Sequence, residues 1–337
     1  MKAMVLHAPG SLALEEIPQP VPGAGEVLVR ITHSGICGTD YKIFHGAIPV
    51  QYPRVMGHEM TGEVADAGSA SGLRPGDRVV VDPQLYCGAC FHCRIGQTHL
   101  CPGGVLIGRD RHGGFAEYVA VPAHHVHRLP PAIDGRTAPL VQVLTTCLHA
   151  QRQIEIFPDE TAAVIGLGVT GQLHVQLAKA RGARVLGVTR SAEKRRLAES
   201  LGADATFPGG DRAAGEVRAA TGGRGADVVI ETTGALPSVA AAVEMVRSGG
   251  RVLLFGIITA REGALPFYDL YFKEVALVGA RVAKPEDYPA SLALVERGMV
   301  RLDPLVSDVM PLPELPAAIG LIGSASGPRM KIILEHR

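Results

Sequence analysis

A change in residue pattern near position 161 is the feature that most constrains the fold of this chain. Before about residue 126, short runs rich in Val and Ile are separated by Gly and Pro, which predicts strands at 26–31, 62–65, 78–81 and 115–121. From residue 161, apolar runs alternate with helical stretches. This alternation predicts repeated strand–helix units and a parallel, doubly wound sheet, so we expect an α/β protein with a β-rich first domain.

The elements of the second half can be predicted one by one. Strands are expected at 162–165, 184–188, 227–230, 251–255 and 274–282, and helices at 172–181, 192–200, 239–247 and 289–300. The tail ends in an apolar run at 330–334 that we expect to fold back onto the first domain. We therefore place the first domain at 1–145, with 283–337 returning to it, and the second at 146–282.

The charge balance argues against nucleic acid and membranes as partners. The 33 Lys and Arg residues balance 33 Asp and Glu residues, so the net charge is about zero and exerts no pull toward polyanions. The first apolar run breaks at His7 and Pro9, and no apolar stretch approaches the roughly 18 residues of a membrane span. We expect a cytoplasmic protein that acts on small molecules.

Four of the six cysteines lie in one short segment: Cys87, Cys90, Cys93 and Cys101. Their spacing lets a tight loop present three thiolates to one ion while a short excursion supplies the fourth, which completes a tetrahedral zinc site. A closed tetrahedron leaves no position for water or substrate, so we expect this zinc to stabilise the loop. The alternatives are unrelated free cysteines or an iron–sulfur cluster.

Cys37, His58 and Glu59 form a second candidate metal group, with one thiolate, one imidazole and one carboxylate. A catalytic zinc takes mixed ligands of this kind and keeps one position open. Taken alone, a single cysteine is commonly a small core residue, and a His-Glu pair is commonly a solvated turn. The flanking glycines and the nearby four-cysteine loop favour the metal interpretation.

A glycine turn follows the strand predicted at 162–165 and contains Gly166, Gly168 and Gly171. Such glycines permit a tight turn and a close approach to a pyrophosphate, while the following helix offers unpaired N–H groups. A bare glycine pattern is often just a turn, but the flanking strand and helix indicate dinucleotide binding. We expect Val169 and Thr170, within the turn, to contact the cofactor too.

The order of these motifs resembles that of the zinc-dependent medium-chain dehydrogenases: Gly35-Ile-Cys-Gly-Thr-Asp, Gly57-His-Glu, the four-cysteine loop and the glycine turn. The resemblance covers nearly the whole chain and is strongest to the polyol, sugar and threonine dehydrogenase branch. It implies a GroES-like catalytic domain and a Rossmann domain. It also implies that Cys37 and His58 bind the catalytic zinc, with Glu59 as a ligand or a close neighbour that exchanges with water.

Two positions depart from the family pattern. Where members carry a further zinc ligand, this chain has Gln142, which binds zinc directly, acts through water or merely hydrogen-bonds; Cys147 is a chemical alternative five residues further along. Where members often have a histidine, this chain has Lys42. We expect Thr39 to begin the proton relay and Lys42 or His45 to complete it, unless these two are solvated surface groups.

The end of the strand at 184–188 bears on cofactor preference. Proteins of this fold that bind NAD place an acidic residue there, about 20 residues past the glycine turn. This chain instead has Thr189, Arg190 and Ser191, which suit the 2′-phosphate of NADP. NADP is therefore favoured over NAD, and Thr146 is a further expected cofactor contact.

The predicted activity is zinc-dependent, NAD(P)-linked interconversion of a secondary alcohol and its ketone by hydride transfer. The substrate would be a polyol, a sugar or a related hydroxy compound, with zinc as Lewis acid. One alternative is a zinc-free quinone or enoyl reductase of the same superfamily, and another is a nicotinamide-binding regulatory protein with a decayed catalytic site. Relatives form dimers and tetramers, so we expect a homodimer or homotetramer.

Other polar groups have plainer interpretations. The histidines at 124, 125 and 127 lie beside a β-rich segment without an acidic neighbour in sequence, which favours surface or hydrogen-bonded roles. Arg109 and Asp110 either face the substrate or pair with each other.

Overall fold

The computed structural model describes residues 1–68, 72–323 and 329–336 of the 337-residue chain. The strands are β1 (Lys2–Ala8), β2 (Ser11–Glu16), β3 (Glu26–Gly35), β4 (Arg54–Val55), β5 (Glu59–Asp66), β6 (Arg78–Val81), β7 (Gln84–Leu85), β8 (Val105–Leu106), β9 (Tyr118–Pro122), β10 (Val126–Arg128), β11 (Thr161–Ile165), β12 (Arg184–Val188), β13 (Ala205–Phe207), β14 (Ala226–Glu231), β15 (Val246–Leu254), β16 (Ala276–Gly279), β17 (Val306–Pro311) and β18 (Lys331–Glu335). The α-helices are α1 (Gly38–Phe44), α2 (Phe91–Arg94), α3 (Leu140–Arg152), α4 (Val169–Ala180), α5 (Ala192–Ser200), α6 (Ala213–Ala220), α7 (Leu236–Met245), α8 (Phe267–Phe272), α9 (Asp287–Glu296) and α10 (Leu315–Gly323).

The chain divides into two compact units. The first contains Met1–Thr145, Ala283–Glu296 and Val306–Arg337, and the second contains Thr146–Val282 and Arg297–Leu305. Residues 297–305 were expected in the first domain but group with the second. The side chain of Gln176 explains this placement, because it bonds the carbonyl and the N–H of Arg301 at 3.1 and 2.7 Å.

The first unit is built mainly on antiparallel pairing, with β17 and β18 as a parallel pair. Its largest sheet has the order β10-β6-β5-β3-β18-β17, with β9 also paired to β3, and β2-β1-β4 form a smaller sheet. Val27, Val29 and Ile31 alternate along β3 and are buried in one core cluster. The tail returns to this sheet as β18, where Ile333 lies opposite Gly35, so the expected return of the chain is observed.

The second unit is a six-stranded parallel sheet with the order β13-β12-β11-β14-β15-β16. Successive residues of β11 enter different cores: Ala162 and Val164 pack in one cluster, and Ala163 and Ile165 in another. Both faces of the sheet are therefore covered, which confirms the doubly wound fold. The strand order reverses at β11, and the carboxyl end of that strand is where such folds bind ligands.

Some predicted boundaries differ from the structure. The helix expected at 239–247 begins earlier, at Leu236, because Pro237 lies in its first turn, where proline is favourable. The last strand of the parallel sheet is shorter than the range 274–282 and comprises Ala276–Gly279. In the parts of the chain that are described, no helix combines the length and the apolar character needed to cross a membrane.

Candidate active site and metal centres

Two elements of the first unit bring Cys37, His58 and Glu59 together. Cys37 is the N-cap of α1, and His58 immediately precedes β5, which begins at Glu59. One potential ligand atom from each residue lies within 4.8 Å of the other two. His58 and Glu59 are 7% and 1% exposed, so the group is largely withdrawn from water. The residues that the sequence predicted as a metal group therefore meet.

The carboxylate of Glu59 is held by Lys331, at the start of the C-terminal strand β18. Lys331 Nζ donates to both carboxylate oxygens of Glu59 at 2.8 and 2.7 Å, and to the carbonyl of Ile36 at 3.1 Å. Gly35 makes this approach possible, because a Cβ there would lie 2.1 Å from Glu59 Oε2. Burial disfavours the charge on Lys331, but Glu59 and Cys37 outweigh it and raise the pKa of the ammonium.

Asp40 orients both predicted zinc ligands from a fully buried position on α1. Its Oδ2 accepts the Cys37 N–H at 2.8 Å, and its Oδ1 lies 3.4 Å from His58 Nδ1. With Nδ1 directed to the carboxylate, Nε2 is the nitrogen of His58 available to a metal. Burial opposes protonation of His58, but the charges of Asp40 and Cys37 prevail and raise its pKa well above the ordinary value.

The donor set fits zinc. Thiolate, imidazole and carboxylate are the ligand types of catalytic zinc sites. Asp40 Oδ1 and His58 Nδ1 lie 3.4 Å apart, and among the described residues neither atom has a hydrogen-bond partner. Several acidic groups thus surround one buried position, and a divalent cation there would offset their charge.

Gln142 and Cys147 both lie on α3 but are placed differently. Gln142 is 7% exposed and belongs to the first unit, whereas Cys147 belongs to the second unit, with its Sγ 3.8 Å from the carbonyl oxygen of Thr170. Among the described residues, the metal group of Cys37 does not include Cys147. Gln142 therefore stays the predicted ligand. Thr146, the predicted cofactor contact, is the first residue of the second unit.

The predicted relay residues lie on and beside α1. Thr39 and Lys42 are both half-buried, and their spacing of three residues puts them on one side of the helix. His45 is exposed at the helix end, with its ring centroid 4.4 Å from that of Tyr41 and 5.0 Å from that of Phe44. The helix geometry favours Lys42 over His45 as the partner of Thr39.

The four-cysteine loop forms a second metal group, in which all four sulfurs lie within 4.8 Å of one another. The Sγ of Cys90 lies 3.4 Å from that of Cys93 and 3.9 Å from that of Cys101, and Cys87 lies 3.9 Å from Cys93. A tetrahedron with zinc–sulfur bonds of about 2.3 Å has edges of about 3.8 Å. The four cysteines are therefore not scattered, and the separations of their sulfurs suit one ion.

The thiols of this loop differ in acidity. The backbone N–H groups of Ala89 and Cys90 lower the pKa of the Cys87 thiol to about 6. Burial, with hydrogen bonding to Cys90, raises the pKa of the Cys93 thiol to about 12. Neighbouring sulfurs thus resist simultaneous ionisation without a cation between them.

The glycine turn joins β11 to α4 in the second unit. A Cβ on Gly171 would lie 1.8 Å from the carbonyl oxygen of Gly166, so this crossing requires glycine. Gly168 caps α4, whose first residues are Val169 and Thr170. A cleft of about 670 Å³ begins at the turn, and Gly166, Thr189 and Arg190 line it. Three of the predicted cofactor residues therefore border one cleft.

Ser191 and Arg195 lie next to the two residues, Thr189 and Arg190, that line the end of the cleft. The Ser191 hydroxyl caps α5 and donates to Glu193 at 2.8 Å, so it already has partners within the protein. Arg195, which sequence reasoning missed, donates to the carbonyls of Thr189 and Arg190 at 3.0 and 3.2 Å. This end of the cleft therefore has two arginines nearby.

The structure shows the partners of His125, Arg109 and Asp110, for which the sequence left simpler roles open. His125 is 1% exposed, and its Nδ1 lies 3.3 Å from Asp82 Oδ2, so it has the acidic partner that its sequence neighbourhood lacks. Arg109 pairs with Asp110 through two hydrogen bonds of 2.9 and 2.7 Å. His125 is therefore a buried, paired residue, and Arg109 and Asp110 bind each other.

Replacing Lys331 with Met should destabilise the first unit, because it leaves the buried Glu59 carboxylate without its cation. Removing one partner of a buried pair costs about 3 kcal/mol of unfolding free energy. Urea denaturation measures this loss, with Lys331→Arg as the matched control that retains the charge and most of the stability. Equal stability of Lys331→Met and wild type would show that the pair contributes nothing.

Comparisons with known proteins show the family to which the chain belongs. The family description "alcohol dehydrogenase GroES-like domain" matches residues 23–131, and "zinc-binding dehydrogenase" matches residues 169–297. The chain is 34% identical to 2-dehydro-3-deoxy-L-galactonate 5-dehydrogenase of Pseudoalteromonas atlantica, covering 93% of this chain and 92% of the relative. It is 31% identical to sorbitol dehydrogenase of Halalkalibacterium halodurans, covering 99% of each.

A solved structure resembles the whole chain. A zinc-binding dehydrogenase of Sinorhizobium meliloti, crystallised with NADP, superposes with a TM-score of 0.92 at 34% identity, covering 99% of this chain and 98% of that one. The two proteins therefore share the same fold over nearly their full length. The chain belongs to the zinc-dependent medium-chain dehydrogenase family, the family of the alcohol dehydrogenases.

Proposed function

We propose that the protein reversibly oxidises a secondary alcohol of a polyol, sugar or related hydroxy compound to its ketone, by hydride transfer to a nicotinamide cofactor. The observation that carries this proposal is the buried group of Cys37, His58 and Glu59, oriented by Asp40 and Lys331. The relatives named for a deoxy sugar acid and for sorbitol support a polyhydroxylated substrate.

The residues of the first unit have distinct roles in this proposal. Bound zinc would supply a Lewis acid that makes a substrate hydroxyl more acidic. Cys37 and His58 would hold the ion, with Gln142 as the further ligand. Thr39 Oγ1 would accept the hydroxyl proton as it releases its own toward Lys42, on the same side of α1. The Lys42 side chain can take that proton only as the neutral amine.

An activity screen of zinc-loaded protein tests this function. Sorbitol, gluconate and other polyols and sugars are offered with NADP or NAD, and quinone and enoyl acceptors with NADPH. We expect oxidation of polyhydroxylated alcohols that a chelator abolishes. Reduction of quinones by metal-free protein would favour the zinc-free reductase, and inactivity across the panel would favour a regulatory protein.

For the cofactor we propose NADP ahead of NAD. Thr189 and Arg190 line the cleft where an acidic residue would otherwise select NAD, and Arg195 lies close behind them. Arg190→Gln should raise the KM for NADP about tenfold and leave that for NAD nearly unchanged, because it removes a charge-assisted contact to the 2′-phosphate. Steady-state kinetics measure both values, with the exposed Arg297→Gln as matched control. Equal effects on both cofactors would contradict this role.

We further propose a cytoplasmic homodimer or homotetramer. The second unit exposes apolar side chains on α8 and the edge strand β16: Phe267, Tyr268, Tyr271, Phe272 and Leu277. Exposed apolar surface of this kind is typical of contact between protein chains. Light scattering after gel filtration should give a multiple of the 35.4 kDa chain mass, and the mass of one chain would refute the proposal.

A further inference from the structure

A cleft of about 540 Å³ in the first unit contains an arginine that the proposed reaction does not use. Arg54 lines this cleft together with Arg111, His112, Tyr52 and Tyr118, and none of the predicted zinc ligands belongs to the lining. Arg54 is 7% exposed, and its Nε has no hydrogen-bond partner among the described residues. An unmade hydrogen bond on a buried guanidinium is unfavourable, and a bound anion would offset this cost through the positive charge of the whole group.

Asp110 also lines the cleft, but its carboxylate oxygens are already bound by other donors. Both oxygens of Asp110 accept hydrogen bonds from Arg109, at 2.9 and 2.7 Å, and Oδ2 also accepts the Leu106 N–H at 2.8 Å. Burial lowers the pKa of Arg54 more than the charge of Asp110 raises it. Asp110 therefore acts on Arg54 through space and does not saturate its hydrogen-bonding capacity.

Two further donors belong to the same cleft. His112 Nδ1 accepts the Val55 N–H at 3.1 Å, so the ring proton is on Nε2, which is left as a donor. Burial and the charge of Arg54 lower the pKa of His112, which keeps this ring neutral. Arg111 is at the rim, with its side chain 46% exposed and 3.4 Å from Glu26. The polar wall thus offers donors of hydrogen bonds and net positive charge.

We propose that this cleft binds the oxyanion group, a carboxylate or a phosphate, of a small molecule, with Arg54 as the principal contact. The planar guanidinium can give two parallel hydrogen bonds to either group. Ile17 and Val119, which also line the cleft, would pack against the carbon skeleton of the ligand. The inference goes beyond the proposed reaction, because neither metal group takes part and binding is measured without turnover.

Isothermal titration calorimetry of the zinc-loaded full chain tests the site directly. Inorganic phosphate and D-gluconate are the two anionic probes. D-sorbitol is a neutral probe with the same chain length as gluconate. We expect one or both anions to bind, and Arg54→Met to weaken that binding about tenfold or more without changing the response to sorbitol. Arg136→Gln removes an exposed arginine of the same unit and should leave the anion Kd unchanged.

A second variant covers the case in which the buried substitution prevents folding, which circular dichroism detects. Arg111→Gln changes a rim residue and should weaken anion binding about threefold, since an exposed contact contributes less. Wild type that binds neither anion overturns the proposal. Anion binding by Arg54→Met that equals the binding by wild type also overturns it. If Arg54→Met does not fold, anion binding by Arg111→Gln that equals the binding by wild type overturns it. The comparison of phosphate with gluconate shows which oxyanion the cleft prefers.

Discussion

Cys37→Ser should lose about a thousandfold in kcat/KM for alcohol oxidation and should retain one zinc per chain instead of two. The thiolate is one of the two ligands that the N-terminus of α1 and the start of β5 bring together, and Asp40 orients both. Metal polarisation of a substrate oxygen is worth several kcal/mol, which corresponds to about three powers of ten in rate. Steady-state kinetics and elemental analysis by mass spectrometry measure the two effects.

Cys147→Ser is the matched control for this substitution. Cys147 is buried in the second unit and lies outside both groups of metal-binding side chains that the described residues form. It should keep two zinc ions and most of the activity. A Cys37→Ser protein with full activity and both metal ions would refute the catalytic assignment.

Cys93→Ser should lower the melting temperature by about 10 °C and also remove one zinc per chain. The loop that carries these cysteines contains the short helix α2, with none of its residues buried, and a 3-10 helix at Thr98–Leu100 in which His99 alone is buried, so it has little core of its own. Structural zinc contributes its binding energy to folding, and a loss of about 5 kcal/mol lowers the melting temperature of a large chain by about 10 °C.

Differential scanning fluorimetry measures the melting temperatures of both cysteine variants. Each variant loses one zinc, so the two variants together separate the two roles of the metal. Cys37→Ser should lose activity with a small change in melting temperature. Cys93→Ser should show the lower melting temperature with a small change in activity. If Cys93→Ser melts at the wild-type temperature after losing its zinc, the zinc of the four-cysteine loop does not stabilise the protein.

Local spacing predicted much of the fold and of the metal groups. The four cysteines are close in sequence, so one turn of α2 and a short excursion suffice to gather them. The glycine turn is likewise one continuous strand, turn and helix. Asp40 lies within the quoted motif, and its place three residues after the N-cap Cys37 is a capping-box signal that could have identified it.

Contacts between residues far apart in the sequence could not be predicted. Lys331 binds Glu59 across a sequence separation of 272 residues, because β18 returns to pair with β3. No local sequence pattern predicts this contact. The acidic partner of His125 is Asp82, on the connection after β6, which β10 joins by antiparallel pairing. Such contacts depend on sheet topology, which a single sequence specifies weakly.

Anomalous diffraction at the zinc absorption edge, from crystals grown with NADP, shows directly which residues of this protein hold zinc. We expect two zinc peaks per chain: one surrounded by the sulfurs of Cys87, Cys90, Cys93 and Cys101, and one bound by Cys37 and His58 with Glu59 nearby. A single peak in the four-cysteine loop, with none between Cys37 and His58, would contradict a zinc-dependent alcohol dehydrogenase activity.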